Sequence, residues 1–212
     1  MDFLPPKLQE YAEAHTSAES DVLQYINRET HSKVLSPRML SGHLQGRVLS
    51  AFSHMIKPER ILEIGTYTGY SAVCMTEGLS PTGKLFTIDV NEELEERVRG
   101  NFEKAGISEK VEFLIGDAHE IIPTLNEKWD LVFIDADKLG YSQYFDLVID
   151  NMNEGGFIIV DNVLWSGKII DESKTDKKTE GMRAFNKKIM DDQRVENVLL
   201  PVRDGLLIIR KK

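Results

Sequence analysis

Five short apolar runs between residues 60 and 160, each closed by a glycine or an acidic residue, leave this chain very few folds. The runs are 60–64, 84–88, 110–115, 131–134 and 157–160, followed by Gly65, Asp89, Gly116-Asp117, Asp135 and Asp161. Helical patterns separate them, beginning near Gly69, Asn91, Ala118 and Ser142. Strands this apolar need cover on both faces, and alternation with helices supplies it, so an α/β fold with a mostly parallel sheet is expected. The flanks differ. Apolar spacings of three and four predict helices over 7–15, 18–28 and 41–55. Past the fifth run, 168–179 is polar and reads as a loop, 180–190 as a helix, and 196–200 and 206–209 as strands. Asp204-Gly205 between those last two runs is a hairpin signal, so an antiparallel C-terminal hairpin should close the sheet.

A chain of 212 residues has room for one sizeable core, giving a single domain over 1–212. Within it, 1–57 would supply N-terminal helices and 58–212 the α/β core. A formal charge of −9 argues against a nucleic-acid partner, which requires a basic face. The single cysteine, Cys74, excludes an intramolecular disulfide and fits a cytoplasmic protein, with Cys74 itself a small core residue. The start, Met1-Asp-Phe-Leu-Pro-Pro6, has neither the basic nor the apolar region of a signal peptide. No apolar run approaches the roughly 18 residues of a membrane helix.

The ends of the runs carry the chemistry. Ile61-Leu-Glu-Ile-Gly65-Thr-Tyr-Thr-Gly69-Tyr-Ser71 reads as strand, glycine turn and helix start, where backbone can approach a ligand and offer free N–H groups. Its Gly-x-x-x-Gly spacing is neither that of a nicotinamide-dinucleotide site nor that of a phosphate loop. Glu63, inside an apolar strand, needs a partner or a cationic ligand. Asp89 can accept from both ribose hydroxyls or cap the next helix. Asp117 can likewise cap a helix or contact an adenine amino group. Farther on, Asp135, Asp161 and Asn162 each follow a strand, so neighbouring strands would bring three hard oxygen donors to one point, with Lys138 beside them. The five histidines, His15, His31, His43, His54 and His119, show no metal-ligand spacing among themselves.

Taken together, ILEIGTYTGYS, IDV, GDA, DLVFIDADKLGYSQYF and IIVDNVLWSG resemble the cation-dependent O-methyltransferases. These include the caffeoyl-CoA O-methyltransferases and, more distantly, catechol O-methyltransferase. The resemblance runs from about Val34 to the C-terminus and includes the PVRDGL hairpin. It implies a Rossmann-like methyltransferase fold, S-adenosyl-L-methionine as donor (S-adenosyl-L-homocysteine as product), and a homodimer. By position, Glu63, Gly65, Tyr67 and Ser71 would surround the methionine part of the donor, Asp89 would hold the ribose, Asp117 and Ala118 would lie at the adenine, and Ser41 would also touch the donor. Asp135, Asp161 and Asn162 match the metal ligands, Asp137 would lie between donor and metal, and Lys138 matches the lysine assigned to transfer. The sequence departs from the mammalian catechol enzyme at Leu207, where that enzyme has a glutamate near the acceptor; the plant-type enzymes carry an aliphatic residue there.

The chemistry is consistent with these roles. Catechol-type hydroxyls ionise near pH 10, as tyrosine does, and a divalent cation bound by both oxygens favours the anion. Two carboxylates and an amide leave room in an octahedral shell for two substrate oxygens and a water, which suits Mg²⁺, with Mn²⁺ or Ca²⁺ as alternatives. Lys138 would take the proton or stabilise the oxyanion. The acceptor expected is a small aromatic vicinal diol. Met39 and Trp165 are candidate acceptor contacts alongside Lys138, although Trp165 could equally anchor the following loop. The 168–179 loop is a candidate lid, Tyr144 a core residue, and Arg38 or Arg183 a group that attracts a negatively charged acceptor. Two other readings remain: the same fold acting on a different acceptor, such as a tRNA-base hydroxyl, or a catalytically silent donor-binding dimer.

Overall fold

The computed structural model describes residues 5–212; Met1–Leu4, on which much of the expectation of no signal peptide rests, lie outside them. Seven strands form one sheet: β1 (Arg60–Ile64), β2 (Lys84–Asp89), β3 (Val111–Ile115), β4 (Trp129–Ile134), β5 (Met152–Val160), β6 (Val195–Leu200) and β7 (Leu206–Lys211). Their order is β3-β2-β1-β4-β5-β7-β6. The pairs from β3 through β5 are parallel, and β7 runs antiparallel to both β5 and β6. The chain therefore winds outward from β1 through β2 to β3, returns to the far side of β1 as β4, and winds the other way. That reversal opens a crevice at the carboxyl ends of β1 and β4, where open α/β sheets bind ligands.

Alternation along the strands divides the apolar residues between two faces. Leu62, Ile64, Val132, Ile134 and Ile158 pack with Tyr141, Phe145 and Val148 of α7 (Tyr141–Ile149) and with Met182 and Phe185 of α8 (Lys177–Asp191). On the other face, Ile61, Leu131, Phe133 and Ile159 meet Leu23 and Ile26 of α2 (Asp21–Lys33), Leu49 of α3 (Gly42–Ile56) and Tyr70 of α4 (Tyr70–Thr76). The remaining helices are α1 (Pro6–Ala14), α5 (Glu95–Lys104) and α6 (Ala118–Ile121). Phe133 is fully buried at the sheet centre, and truncating such a ring to alanine costs about 3–5 kcal/mol.

Every predicted strand and helix forms, with three informative shifts in boundary. Helix α2 continues to Lys33, beyond the expected residue 28, because Thr30 is buried and donates to Thr68 Oγ1 at 3.0 Å. Strand β5 begins at Met152 rather than 157, where Met152 pairs with Trp129 before a register shift. Helix α8 begins at Lys177, three residues early, because the Asp176 side chain caps it through Thr179 N–H at 3.1 Å. No helix among the described residues is long and apolar enough to cross a membrane.

Candidate active site

The turns that follow β1, β2, β3, β4 and β5 line a single cleft of about 1570 Å³. A drug-sized ligand fills roughly 300–1,000 Å³, so this cleft has room for two small molecules side by side. Its wall changes character from one end to the other.

At the β1–β2 end the wall is the glycine turn. Gly65 has φ +101°, and a Cβ there would lie 2.1 Å from the Asp135 carbonyl oxygen, so this turn can pass the end of β4 only without a side chain. The Asp89 carboxylate organises the turn: Oδ2 accepts from Thr66 N–H at 3.0 Å and Tyr67 N–H at 2.7 Å, and Oδ1 from Asn91 N–H at 2.9 Å. A carboxylate has about four lone-pair positions, so Asp89 keeps capacity to accept from a ligand hydroxyl. The Tyr67 hydroxyl donates to the Leu35 carbonyl at 2.9 Å, tying the turn to the segment before α3. Beneath the turn, Glu63 is fully enclosed and accepts from Ser71 Oγ and Thr87 Oγ1, both at 2.5 Å. Burial, with the nearby Asp135 and Asp89 charges, pushes the Glu63 carboxyl up to about 8 against the two hydroxyl donors. Glu63 thus sits below the cleft floor, whereas Gly65, Tyr67, Ser71, Asp89 and Ala118 line the cleft. Asp117 lies outside the lining: it caps α6 through His119 N–H at 2.8 Å and also meets His119 Nδ1, which holds its carboxyl below the usual range.

At the β4–β5 end the wall is charged. Ile134 pairs with Val160, so Asp135 and Asp161 leave adjacent strands at the same level, about 5 Å apart along the sheet. Asp161 is 3% exposed; its Oδ1 accepts from Asn162 N–H at 2.7 Å and its Oδ2 from Gln45 Nε2 at 2.8 Å. Burial, then the Asp135 charge, pushes the Asp161 carboxyl well above the usual carboxylate range. Asn162 has φ +61°, left-handed geometry that asparagine adopts more readily than most residues. Lys138 Nζ donates to Asp135 Oδ1 and to the Tyr141 hydroxyl, both at 2.7 Å, and Tyr141 donates onward to the Asp161 carbonyl at 3.0 Å. Asp135 Oδ2 and the Asn162 side-chain oxygen accept no hydrogen bond from a described residue. A free oxygen on Asp135, spare lone pairs on both oxygens of Asp161 and a free amide oxygen on Asn162, all on residues lining one cleft, fit a hard divalent cation. Asp137 is more than half exposed, lines the same cleft and lies 3.5 Å from Lys178.

The family model described as O-methyltransferase matches residues 13–212, nearly the whole chain. This chain belongs to the O-methyltransferase family. It is 34% identical over 196 residues to caffeoyl-CoA O-methyltransferase 5 of Nicotiana tabacum, covering 87% of this chain and 82% of that one. With the catechol O-methyltransferase of Niastella koreensis it shares 32% identity over 160 residues, covering 74% and 72%. The SAH-bound methyltransferase PaMTH1 of Podospora anserina superposes with a TM-score of 0.90 at 30% identity, covering 100% and 99% of the two chains. The O-methyltransferase of Bacillus cereus in complex with SAH also scores 0.90, at 28% identity and 97% coverage of both. The protein is accordingly an S-adenosylmethionine-dependent O-methyltransferase.

The methyltransferase's remaining wall comes from irregular segments. Met39 is exposed at the cleft mouth, on a single turn of 3₁₀-helix (Pro37–Met39), and Ser41 is buried just before α3; both line the cleft. Trp165 lines it too, half-buried, with Lys168 Nζ 5.5 Å from its ring centre. The 168–179 stretch is not an open loop. Arg183 donates to the carbonyls of Lys168, Ile169, Asp171 and Lys174, gathering it into turns. That guanidinium also meets Glu180, so Arg183 is committed to the loop, whereas Arg38 lines the cleft. Tyr144 is both core and wall: it is 7% exposed, lines the cleft and lies 4.6 Å from the His119 ring. Leu207 is buried in β7 between Val160 and Leu199. Sequence reasoning missed Gln45 and Arg203. The available signal was Gln45 itself, a polar residue four before Leu49 on the buried stripe of α3.

Proposed function

We propose that the enzyme transfers the methyl group of S-adenosylmethionine to one hydroxyl of a small aromatic vicinal diol, of the caffeoyl or catechol type, and requires a divalent cation. The observation that carries this reading is the register of β4 and β5, which puts Asp135, Asp161, Asn162 and Lys138 on the same cleft as the glycine turn. The names of the relatives, caffeoyl-CoA and catechol O-methyltransferases, support the acceptor class.

In this reading the glycine turn, Asp89 and Ala118 hold the donor, with Ser41, Tyr67 and Ser71 near its methionine part. Glu63 and Asp117 act from behind, shaping the turn and the start of α6. Asp135, Asp161 and Asn162 hold the cation, Mg²⁺ by the hardness of the donor set, and when bound it favours the ionised form of an acceptor hydroxyl. Lys138, fixed by Asp135 and Tyr141, sits where it can accept the acceptor proton or face the oxyanion. Asp137 lies at the boundary between the two ligands. Trp165 and Met39 offer flat and flexible apolar surface to an aromatic ring, while the long cleft aligns the two reactants, the main requirement of a displacement that neutralises charge. The reading includes a single domain and a cytoplasmic homodimer. It is supported by one sheet carrying the whole site, the lone buried Cys74, and apolar Leu8 and Tyr11 left exposed on α1.

Methyl transfer to caffeic acid and to a simple catechol, with and without EDTA, tests the reading. Transfer that stops with chelator and returns with Mg²⁺ is expected. Transfer indifferent to EDTA would remove the cation from the mechanism, and donor binding without transfer to any vicinal diol would remove the acceptor class.

A further inference from the structure

Gln45 has no apolar reason to be where it is. It is fully buried on α3, on the stripe that also carries Leu49 and Ser53, and each end of its amide is committed. Nε2 donates to Asp161 Oδ2 at 2.8 Å, and Oε1 accepts from an Arg203 guanidinium nitrogen at 3.3 Å. The partners fix the orientation of the amide: its oxygen must face the cation and its N–H the carboxylate. Arg203 comes from the β6–β7 turn, where its own backbone is left-handed at φ +49°. The same guanidinium nitrogen also meets the carbonyls of Leu40 and Ser41, sharing its two N–H groups among three acceptors and clamping the segment that leads into α3. Three regions far apart in sequence thus form one cation–amide–carboxylate chain ending on Asp161.

We infer that Gln45 is a positioning residue for Asp161 and that Arg203 holds Gln45 in its working orientation; this rests on the cation site proposed above. With Asn162 N–H on Oδ1 and Gln45 on Oδ2, the Asp161 carboxylate is held in one orientation with its remaining lone pairs free. A cation then finds a ligand already oriented, instead of one that must be ordered on binding. Groups that orient metal ligands from behind typically change metal affinity about 10–100-fold when removed. If Gln45 served only to fill the core, its loss would lower stability and leave cation affinity alone.

The experiment is titration of the full-length protein with Mn²⁺, followed by the loss of the free-ion paramagnetic resonance signal. S-adenosylhomocysteine binding by calorimetry and thermal melting of the cation-free protein run beside it. Gln45→Met keeps length and bulk but removes the donor, and Mn²⁺ binding on the order of 10-fold weaker or more is expected, with S-adenosylhomocysteine affinity within about twofold of wild type. Should Gln45→Met not fold, Arg203→Met probes the same chain from its exposed end, with a several-fold loss expected. Unchanged Mn²⁺ affinity in folded Gln45→Met, or in Arg203→Met if Gln45→Met does not fold, overturns the inference while leaving the cation site standing. A wild-type protein that binds no Mn²⁺ overturns the cation site itself, and the inference with it.

Discussion

The two ends of the cleft are built by different means. The β1–β2 end is made largely of backbone: a glycine turn with no room for a side chain at Gly65, held by one carboxylate accepting three N–H groups. The opposite end is made of side chains and loops held from a distance, with Arg183 gathering one segment, Arg203 another, and Gln45 reaching Asp161 across 116 residues of sequence. The first kind of wall tolerates little change and suits a ligand that stays the same. The second can be altered residue by residue, which suits an acceptor that differs from one relative to the next.

Substitutions at each end should separate the two. The largest effect is expected from Asp161→Ala. If Asp161 holds the proposed cation, its loss should reduce transfer on the order of 10³-fold, since a bound cation contributes several kcal/mol to such steps, while calorimetry should find donor affinity nearly intact. Strongly impaired donor binding would join the two ends into one. Gly65→Ala is the reciprocal experiment: the added methyl meets the Asp135 carbonyl and the φ is unfavourable, so roughly 3 kcal/mol is at stake. About a hundredfold weaker donor binding is expected, and normal donor affinity would show that the turn can relax away from β4.

Glu63→Gln tests the turn's foundation. A carboxyl near 8 when folded and about 4.3 when unfolded means that, between those values, the folded chain keeps a proton the unfolded chain has released. Stability from this group is therefore full at low pH and falls as pH rises through that window, by roughly 3–4 kcal/mol between pH 5 and 8. Glutamine cannot ionise, and the Ser71 and Thr87 hydroxyls can rotate to suit its amide, so melting of the variant should vary less over that range. Parallel melting curves for the two proteins would place the pH dependence elsewhere. The smallest effect is expected from Arg183→Ala, which should raise the acceptor KM by several-fold and leave donor affinity unchanged; an unaltered acceptor KM would mean that the loop keeps its form without the arginine.

What the sequence made legible follows the same division. The strands, the glycine turn, Asp89 and the Asp135 and Asp161-Asn162 motifs are local patterns, and the parallel register alone carries the last two to the same level. Glu63 was legible as a buried acid needing partners, and it finds two in the hydroxyls of Ser71 and Thr87. Arg183 read as a cation available to an acceptor because a guanidinium's commitment to four carbonyls is a tertiary fact. Gln45 and Arg203 escaped notice for the same reason, since nothing near either in sequence announces the other. The early start of α8 was there to be read in Asp176-x-x-Thr179, an N-cap inside a run that otherwise looks like loop.

Arg183 grips main-chain oxygens, and every residue presents much the same carbonyl to it. The side chains of Ile170 and Glu172 can therefore be exchanged without surrendering the shape of the segment that bears them. A lineage, or a designer, could rewrite this stretch and still inherit its geometry from one arginine on the neighbouring helix. The fold in effect keeps a replaceable cassette beside a fixed reaction centre.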